Sequence, residues 1–185
     1  MSVLVSKSRN SYRGFSKELF TEVSDNLKVV SDEEWEVNKE CYKSITFSVY
    51  IRTDVDNLVL MLDDGKFAEV FKAPPAVVES GVYPLMLVDS GYLCGKSLFD
   101  KVFSVKSSEA LKRLAMKSMC YPVGAIETSK NYVLAYNVVI SSDLLKDTEL
   151  SLNKGFCFRP IETLELSDSL QREIAESLVI VKIKE

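Results

Sequence analysis

The chain is long enough for one domain with a substantial hydrophobic core, and its composition is that of a folded globular protein. It has 185 residues, of which 46% are hydrophobic and 27% are charged, which excludes the disordered and collagen-like classes. The formal net charge of −4 does not favour broad electrostatic binding to nucleic acid.

The sequence lacks the features of a membrane or secreted protein. No stretch reaches the roughly 20 apolar residues that a membrane-spanning helix needs. The first residues, MSVLVSKSRN, lack the apolar core and cleavage site of a signal peptide. We therefore expect a cytoplasmic protein with no membrane span.

The residue types that build common metal and catalytic sites are scarce. The absence of histidine excludes His-ligated zinc, a Ser-His-Asp triad and a Cys-His dyad. The cysteines form no C-x-x-C pair, so we expect them to be reduced, with no bound metal and no cofactor. They are Cys41, Cys94, Cys120 and Cys157.

The first part of the chain is polar and irregular. We predict a single domain, 1–185, in which residues 1–40 form an N-terminal arm packed on a core of residues 41–185. Within the arm, Lys17 to Val23 has weak helical spacing.

A second helix start is indicated by the sequence SDEE. Ser31 is a typical N-cap residue, and the three acids that follow favour a helix N-terminus. Trp35 and Val37 are then expected to anchor this helix to the core.

The next segment predicts a β-hairpin. Ile45 to Thr53 alternates apolar and polar residues, and Leu58 to Leu62 forms a second short apolar run. The sequence DVDN at 54–57 is typical of a turn between two strands. Turn chemistry explains these acids better than cation binding does.

A glycine-rich segment resembles a phosphate loop only superficially. Tyr83 to Asp89 predicts a strand, and Ser90 to Ser97 follows with the sequence SGYLCGKS. A Walker A motif needs four residues between its glycines, but Gly91 and Gly95 are separated by three. We interpret the segment as a glycine turn.

The clearest helix is Ser107 to Met119, with Ser107 or Ser108 as its cap. Lys112, Arg113 and Lys117 lie mostly off its apolar face. That face consists of small or apolar residues at helical spacing: Ala110, Leu111, Leu114, Ala115 and Ser118.

The remaining pattern completes a mixed sheet. Val123 to Thr128 and Tyr132 to Ile140 predict a second hairpin, and Gly155 to Ile161 a further strand. Ser167 to Leu178 predicts an amphipathic helix, and 179–183 a strand or a helix tail. The fold class is therefore α/β (α+β), with helices packed against a mixed sheet.

Three segments carry a resemblance to a known family: GFS at 14–16, ECYKSI at 40–45 and ETLELSDSLQREIAESL at 162–178. They resemble segments of the Nudix-fold proteins described as predicted phosphoesterases of the MutT type, which occur in bacteria and phages. In the third segment, Leu166 stands where that group has a tryptophan. The resemblance implies a Nudix-like α/β/α sandwich.

The resemblance also implies a catalytic helix that carries the box G-x5-E-x7-R-E-U-x-E-E-x-G-U, whose glutamates hold divalent cations. Here the matching helix is Ser108 to Met119, and the box is degenerate. Either Lys112 or Arg113 takes the place of the box arginine. The three glutamate positions then fall on residues without a carboxylate: Arg113, Met116 and Lys117, or Leu114, Lys117 and Ser118.

These residues favour a protein that has lost catalysis. We expect a non-catalytic Nudix-like binding or interaction protein, phage-encoded by analogy with the group, with a protein as its partner. Lys112, Arg113 and Lys117 are either an anion site, for a nucleotide or another anion, or a solvated face.

The alternative is a divergent Nudix-type hydrolase of nucleoside diphosphate derivatives. It would need a metal site made by acids outside the box. The candidates are Glu69, Glu79, Asp89 and Glu127.

Overall fold

The computed structural model describes residues 2–7, 14–56, 58–66, 68, 102–129 and 131–163. The predicted elements at 83–89, 90–97, 167–178 and 179–183 lie outside the described residues. The same holds for Glu69, Glu79 and Asp89. Within the described part, no helix is both long enough and apolar enough to cross a membrane.

The described fold is a mixed sheet with helices packed against it, so the predicted α+β class is confirmed. Seven strands form the main sheet: β1 (Ser2–Ser6), β2 (Lys28–Ser31), β3 (Lys43–Thr53), β4 (Leu58–Leu62), β6 (Ser118–Glu127), β7 (Asn131–Ile140) and β9 (Phe156–Pro160). A separate antiparallel pair consists of β5 (Phe103–Val105) and β8 (Leu150–Leu152).

Strand β3 is the centre of the sheet. Along one edge it runs parallel to β7, from Ser44 opposite Asn131 to Thr53 opposite Ile140. The other edge of β3 pairs with two strands. Strand β1 pairs with the first residues of β3, and β4 pairs near its end. Both predicted hairpins, β3 with β4 and β6 with β7, are confirmed.

Side chains alternate between the two faces of the sheet and form two separate core clusters. Val49 and Ile51 belong to the larger cluster, whereas Tyr50 belongs to the smaller one. Helices α1 (Lys17–Asp25) and α3 (Ser108–Met116) pack their buried leucines into the larger cluster. The larger cluster is therefore the side of the sheet on which both helices lie.

The helix starts follow local capping chemistry. Ser16, Ser31 and Ser107 are the N-caps of α1, α2 (Asp32–Val37) and α3, and each hydroxyl accepts a bond from a backbone N–H three residues on, at 3.1 Å. Of the two capping candidates for α3, Ser107 is the residue that caps.

Two details of the helix predictions are wrong. Helix α3 ends at Met116 rather than Met119, because Ser118 already begins β6 and pairs with Ile140. Val37 does not anchor α2, since its side chain is 82% exposed and the helix has no buried residue. A helix of six residues that packs at the edge of the sheet has little apolar surface to bury.

The first 40 residues contribute directly to the sheet. Strand β1 pairs with β2 along four residues and with β3 along two, and α1 buries Leu19 and Val23 completely. The division into arm and core stays a prediction.

Candidate functional site

The predicted basic residues of α3 are mostly engaged in ion pairs. The Lys112 ammonium lies 3.0 Å from a carboxylate oxygen of Glu109. The Arg113 guanidinium donates to Asp147 at 2.9 Å and to Glu149 at 2.7 Å. Lys117 is exposed and forms no ion pair within the described ranges.

The pKa shifts around Arg113 agree with a guanidinium whose charge is balanced by two carboxylates. Hydrogen bonds to Asp147 and Glu149 raise the pKa of Arg113. The same bonds hold the pKa of both carboxyl groups below their usual values. An anion at this position would compete with two carboxylates that are already bound. The anion site at Lys112, Arg113 and Lys117 stays a prediction, and only Lys117 retains an unpaired charge for it in the described structure.

Acidic residues do not assemble a metal site in the part of the chain that the structure describes. No group of three or more acids or cysteines lies close enough to hold an ion there. Glu127, one of the four compensating candidates, instead accepts a bond of 2.7 Å from the Lys43 ammonium. Cys41 and Cys157 are free thiols.

A cleft of about 500 Å³ lies between α2 and the beginning of β3. We call it the α2 cleft. Its lining combines three aromatic side chains with charged residues of both signs: Trp35, Tyr42, Tyr132, Lys39, Lys43 and Glu127.

The wall of the α2 cleft is ordered by contacts that are distant in sequence. The Lys43 ammonium bonds to Glu127 and to the carbonyl of Thr128 at 2.8 Å, and it lies 5.6 Å from the ring centre of Tyr132. Lys28 pairs with Glu34 at 2.7 Å and lies 5.7 Å from the ring centre of Tyr42. These contacts link α2 to β2 and to the residue that precedes β3.

A smaller pocket of about 250 Å³ lies on the other face of the sheet. We call it the Arg52 pocket, and its lining includes Lys17, Arg52, Tyr121 and Asn137. Asn137 lies opposite Tyr121 of β6 and opposite Tyr50 of β3, two residues before Arg52. Arg52 Nε and Asn137 Oδ1 are both buried without a hydrogen-bond partner.

Neither a protein-family model nor a curated protein matches the chain. A solved structure that is similar to it is the crystal structure of Tm1382, a candidate Nudix hydrolase. The two share 13% identity over 96% of this chain and 98% of the other, with a TM-score of 0.46. This degree of similarity does not indicate the activity of the chain.

Neither pocket is apparent from the sequence. Lys43 on β3 and Glu127 on β6 are 84 positions apart, and they come together only because β7 pairs with both strands. One local signal existed for the Arg52 pocket, because Asn137 interrupts the apolar run YVLAYNVVI of β7. A polar side chain at the centre of a buried strand needs a partner.

The described residues therefore form pockets of different chemistry. The α2 cleft offers aromatic rings beside an ordered ammonium group, and the Arg52 pocket offers unsatisfied polar atoms. Helix α3 offers paired charges on its polar side.

Proposed function

We propose that the chain is a non-catalytic, Nudix-like binding protein of the cytoplasm, which acts by holding a segment of a protein partner in the α2 cleft. The observation that carries the proposal is the aromatic lining of this cleft, by Trp35, Tyr42 and Tyr132. Tryptophan and tyrosine are enriched among the residues that supply most of the binding energy at protein interfaces.

The composition of the cleft supports a protein partner. Trp35 and Tyr42 are half-buried, so part of each ring can be covered by a partner, whereas the Tyr132 ring is almost fully buried. Lys39 and Glu40 place charges of both signs at the same cleft, which favours a mixed polar rim around an apolar anchor.

The degenerate box supports the absence of catalysis. Hydrolysis of a diphosphate needs carboxylates that hold divalent cations, whereas α3 presents Arg113 in a network with Asp147 and Glu149. The proposed phage origin rests on the family resemblance, so phage and host proteins both belong in the search for the partner.

The proposal is tested by affinity purification from the native host with mass spectrometry. Bait proteins are the wild type, the variant Trp35→Ala and the control Lys154→Ala, which changes an exposed residue in the turn before β9. We expect one partner to be recovered with the wild type and the control. Recovery with Trp35→Ala should fall about tenfold or more, as for loss of an aromatic interface anchor.

The alternative, a divergent Nudix-type hydrolase of nucleoside diphosphate derivatives, is tested in parallel. Purified protein is incubated with Mg²⁺ and a panel of these compounds. Hydrolysis that collapses when one acidic residue is replaced by its amide would contradict the proposed function.

A further inference from the structure

We infer that the Arg52 pocket is a second binding site, which takes a phosphate group on a ligand that also carries a hydrogen-bond donor. The site is separate from the α2 cleft and from any protein partner that binds there. Unsatisfied polar atoms, positive charge and a small volume occur together in this pocket.

The unsatisfied atoms lie at one place. Arg52 Nε and Asn137 Oδ1 are the only buried side-chain polar atoms without a partner in the described structure. Both belong to residues that line this one pocket. A buried polar group without a hydrogen-bond partner destabilises the folded state, so a ligand that bonds to both atoms would be favoured here.

Asn137 is the more informative of the two residues. Only 6% of its surface is exposed, and its place on β7 follows from the pairing with both neighbouring strands. Ala135 and Val123, which belong to the core cluster on the same face of the sheet, are buried and apolar, so Asn137 places an amide beside apolar neighbours. An amide oxygen held there can accept a hydroxyl or an amine proton from a ligand.

The pocket is positively charged. Lys17 and Arg52 bring two cations to it, and none of the described lining residues is an aspartate or a glutamate. Tyr121 and Asp54 act electrostatically on Arg52, and Asp54 already accepts a bond of 2.9 Å from the backbone N–H of Ser142.

Arg52 differs in this respect from the arginine of α3. Arg113 is bound by two carboxylates, whereas the Arg52 guanidinium donates through Nη1 to the carbonyl of Thr53 at 3.1 Å. Burial lowers the pKa of Arg52, and the electrostatic effect of Tyr121 and Asp54 offsets only part of this shift. A bound oxyanion would place a full negative charge beside the guanidinium.

The pocket is small. Its volume of about 250 Å³ is just below the roughly 300–1,000 Å³ of pockets that hold drug-sized ligands. The pocket therefore suits a small molecule or a single anionic group. Tyr121, which is 43% exposed, stands at its border and can contact the remainder of the ligand. The oxyanion can belong to a free metabolite or to a phosphorylated side chain of another protein.

The test is isothermal titration with four probes: inorganic phosphate, glycerol 3-phosphate, glycerol and a peptide that contains phosphoserine. We expect the three phosphate-bearing probes to bind and glycerol not to bind. Tighter binding of the peptide than of glycerol 3-phosphate would assign the oxyanion to a protein side chain. The reverse order would assign it to a small molecule.

Variants identify the site. Arg52→Gln should weaken phosphate binding about tenfold or more, as for loss of a charge-assisted bond. Lys17→Gln removes an exposed charge and should weaken it about threefold, the smaller effect expected at a solvated position. Lys154→Gln is the matched control, because Lys154 is an exposed lysine like Lys17 and lies in the turn before β9, outside the pocket. It should leave binding unchanged.

The variant Asn137→Leu tests the hydrogen-bond donor of the ligand separately from its phosphate. It should reduce the affinity for glycerol 3-phosphate while the affinity for inorganic phosphate stays the same. The thermal midpoint of every variant is measured without ligand, and Lys17→Gln, which changes an exposed side chain, remains informative if a buried variant fails to fold. The inference is overturned if no phosphate-bearing probe binds, or if phosphate binds equally well to Lys154→Gln, Lys17→Gln and Arg52→Gln.

Discussion

At the scale of single residues, the same type of side chain has different roles according to its neighbours. Arg113 is held by Asp147 and Glu149, and Lys43 by Glu127 and a backbone carbonyl. Arg52, in contrast, is partly desolvated with an unsatisfied Nε. Charge counts along a helix therefore do not locate an anion site, because pairing decides which cations remain available.

The Arg113 network makes a pH-dependent contribution to stability. Bonding to Arg113 lowers the folded-state pKa of Asp147 and Glu149, so the contribution is present above their unfolded-state pKa and is lost as the pH falls through the folded-state pKa. We expect Arg113→Met to lower the thermal midpoint at pH 7. The difference from the wild type should shrink as the pH falls below about 4, the ordinary pKa of these carboxyl groups.

The measurement is thermal unfolding followed by circular dichroism between pH 7 and pH 2. Lys112→Met is the control, because its pair with Glu109 is exposed and joins neighbouring turns of one helix. An equal loss of midpoint in the control, or a difference that does not change with pH, would contradict this account of the network.

Gly124 is required by a close contact with Phe15. A Cβ atom at position 124 would lie 2.6 Å from the Phe15 ring, at the point where the pairing of β6 with β7 shifts after Pro122. Gly124→Ala should therefore reduce the free energy of unfolding by about 1–3 kcal/mol, the usual cost of overpacking. Denaturant unfolding measures this cost.

The control for Gly124 is a double-mutant cycle with Phe15→Ala. Removal of the ring removes the clash, so Gly124→Ala should cost less in the Phe15→Ala background than in the wild type. Equal costs in the two backgrounds would show that the ring is not the reason for glycine at this position.

At the scale of elements, α3 is a structural helix defined by its cap and its ion pairs. The Ser107 hydroxyl accepts a bond from the Ala110 N–H at 3.1 Å. Ser107→Ala should therefore cost about 1 kcal/mol of unfolding free energy. Ser108→Ala, at an exposed position of the first turn, should change it by less than about 0.5 kcal/mol. A larger loss of unfolding free energy in Ser108→Ala than in Ser107→Ala, measured by denaturant unfolding, would contradict the assignment of Ser107 as the cap.

The elements also show how far the sequence alone could predict the fold. Periodicity and turn chemistry predicted β3, β4, β7 and α3, because these features depend on neighbouring residues. Strand β1 was not predicted, since its pairing partners Lys28 to Ser31 and Lys43 to Ser44 are brought to it by tertiary structure. The end of α3 was missed because Ser118 pairs with Ile140, a contact that local propensity does not contain.

At the scale of the whole molecule, the two pockets lie on opposite faces of one sheet. The α2 cleft lies beside the larger core cluster, at the beginning of the parallel pair β3 and β7, and the Arg52 pocket lies on the opposite face. Neither could be predicted from the sequence, because each joins residues from separate strands. The degenerate box, in contrast, could be recognised from the sequence, since it depends only on which residues stand on one helix.

The central claim is that a protein partner binds in the α2 cleft. The measurement that tests it most directly uses the partner that affinity purification recovers. That protein is purified and titrated into the wild type and into Trp35→Ala by isothermal calorimetry. We predict that the dissociation constant rises about tenfold or more in the variant, which corresponds to loss of at least about 1.4 kcal/mol of binding energy, while Lys154→Ala binds like the wild type. Equal affinity of the wild type and a folded Trp35→Ala variant would contradict the claim.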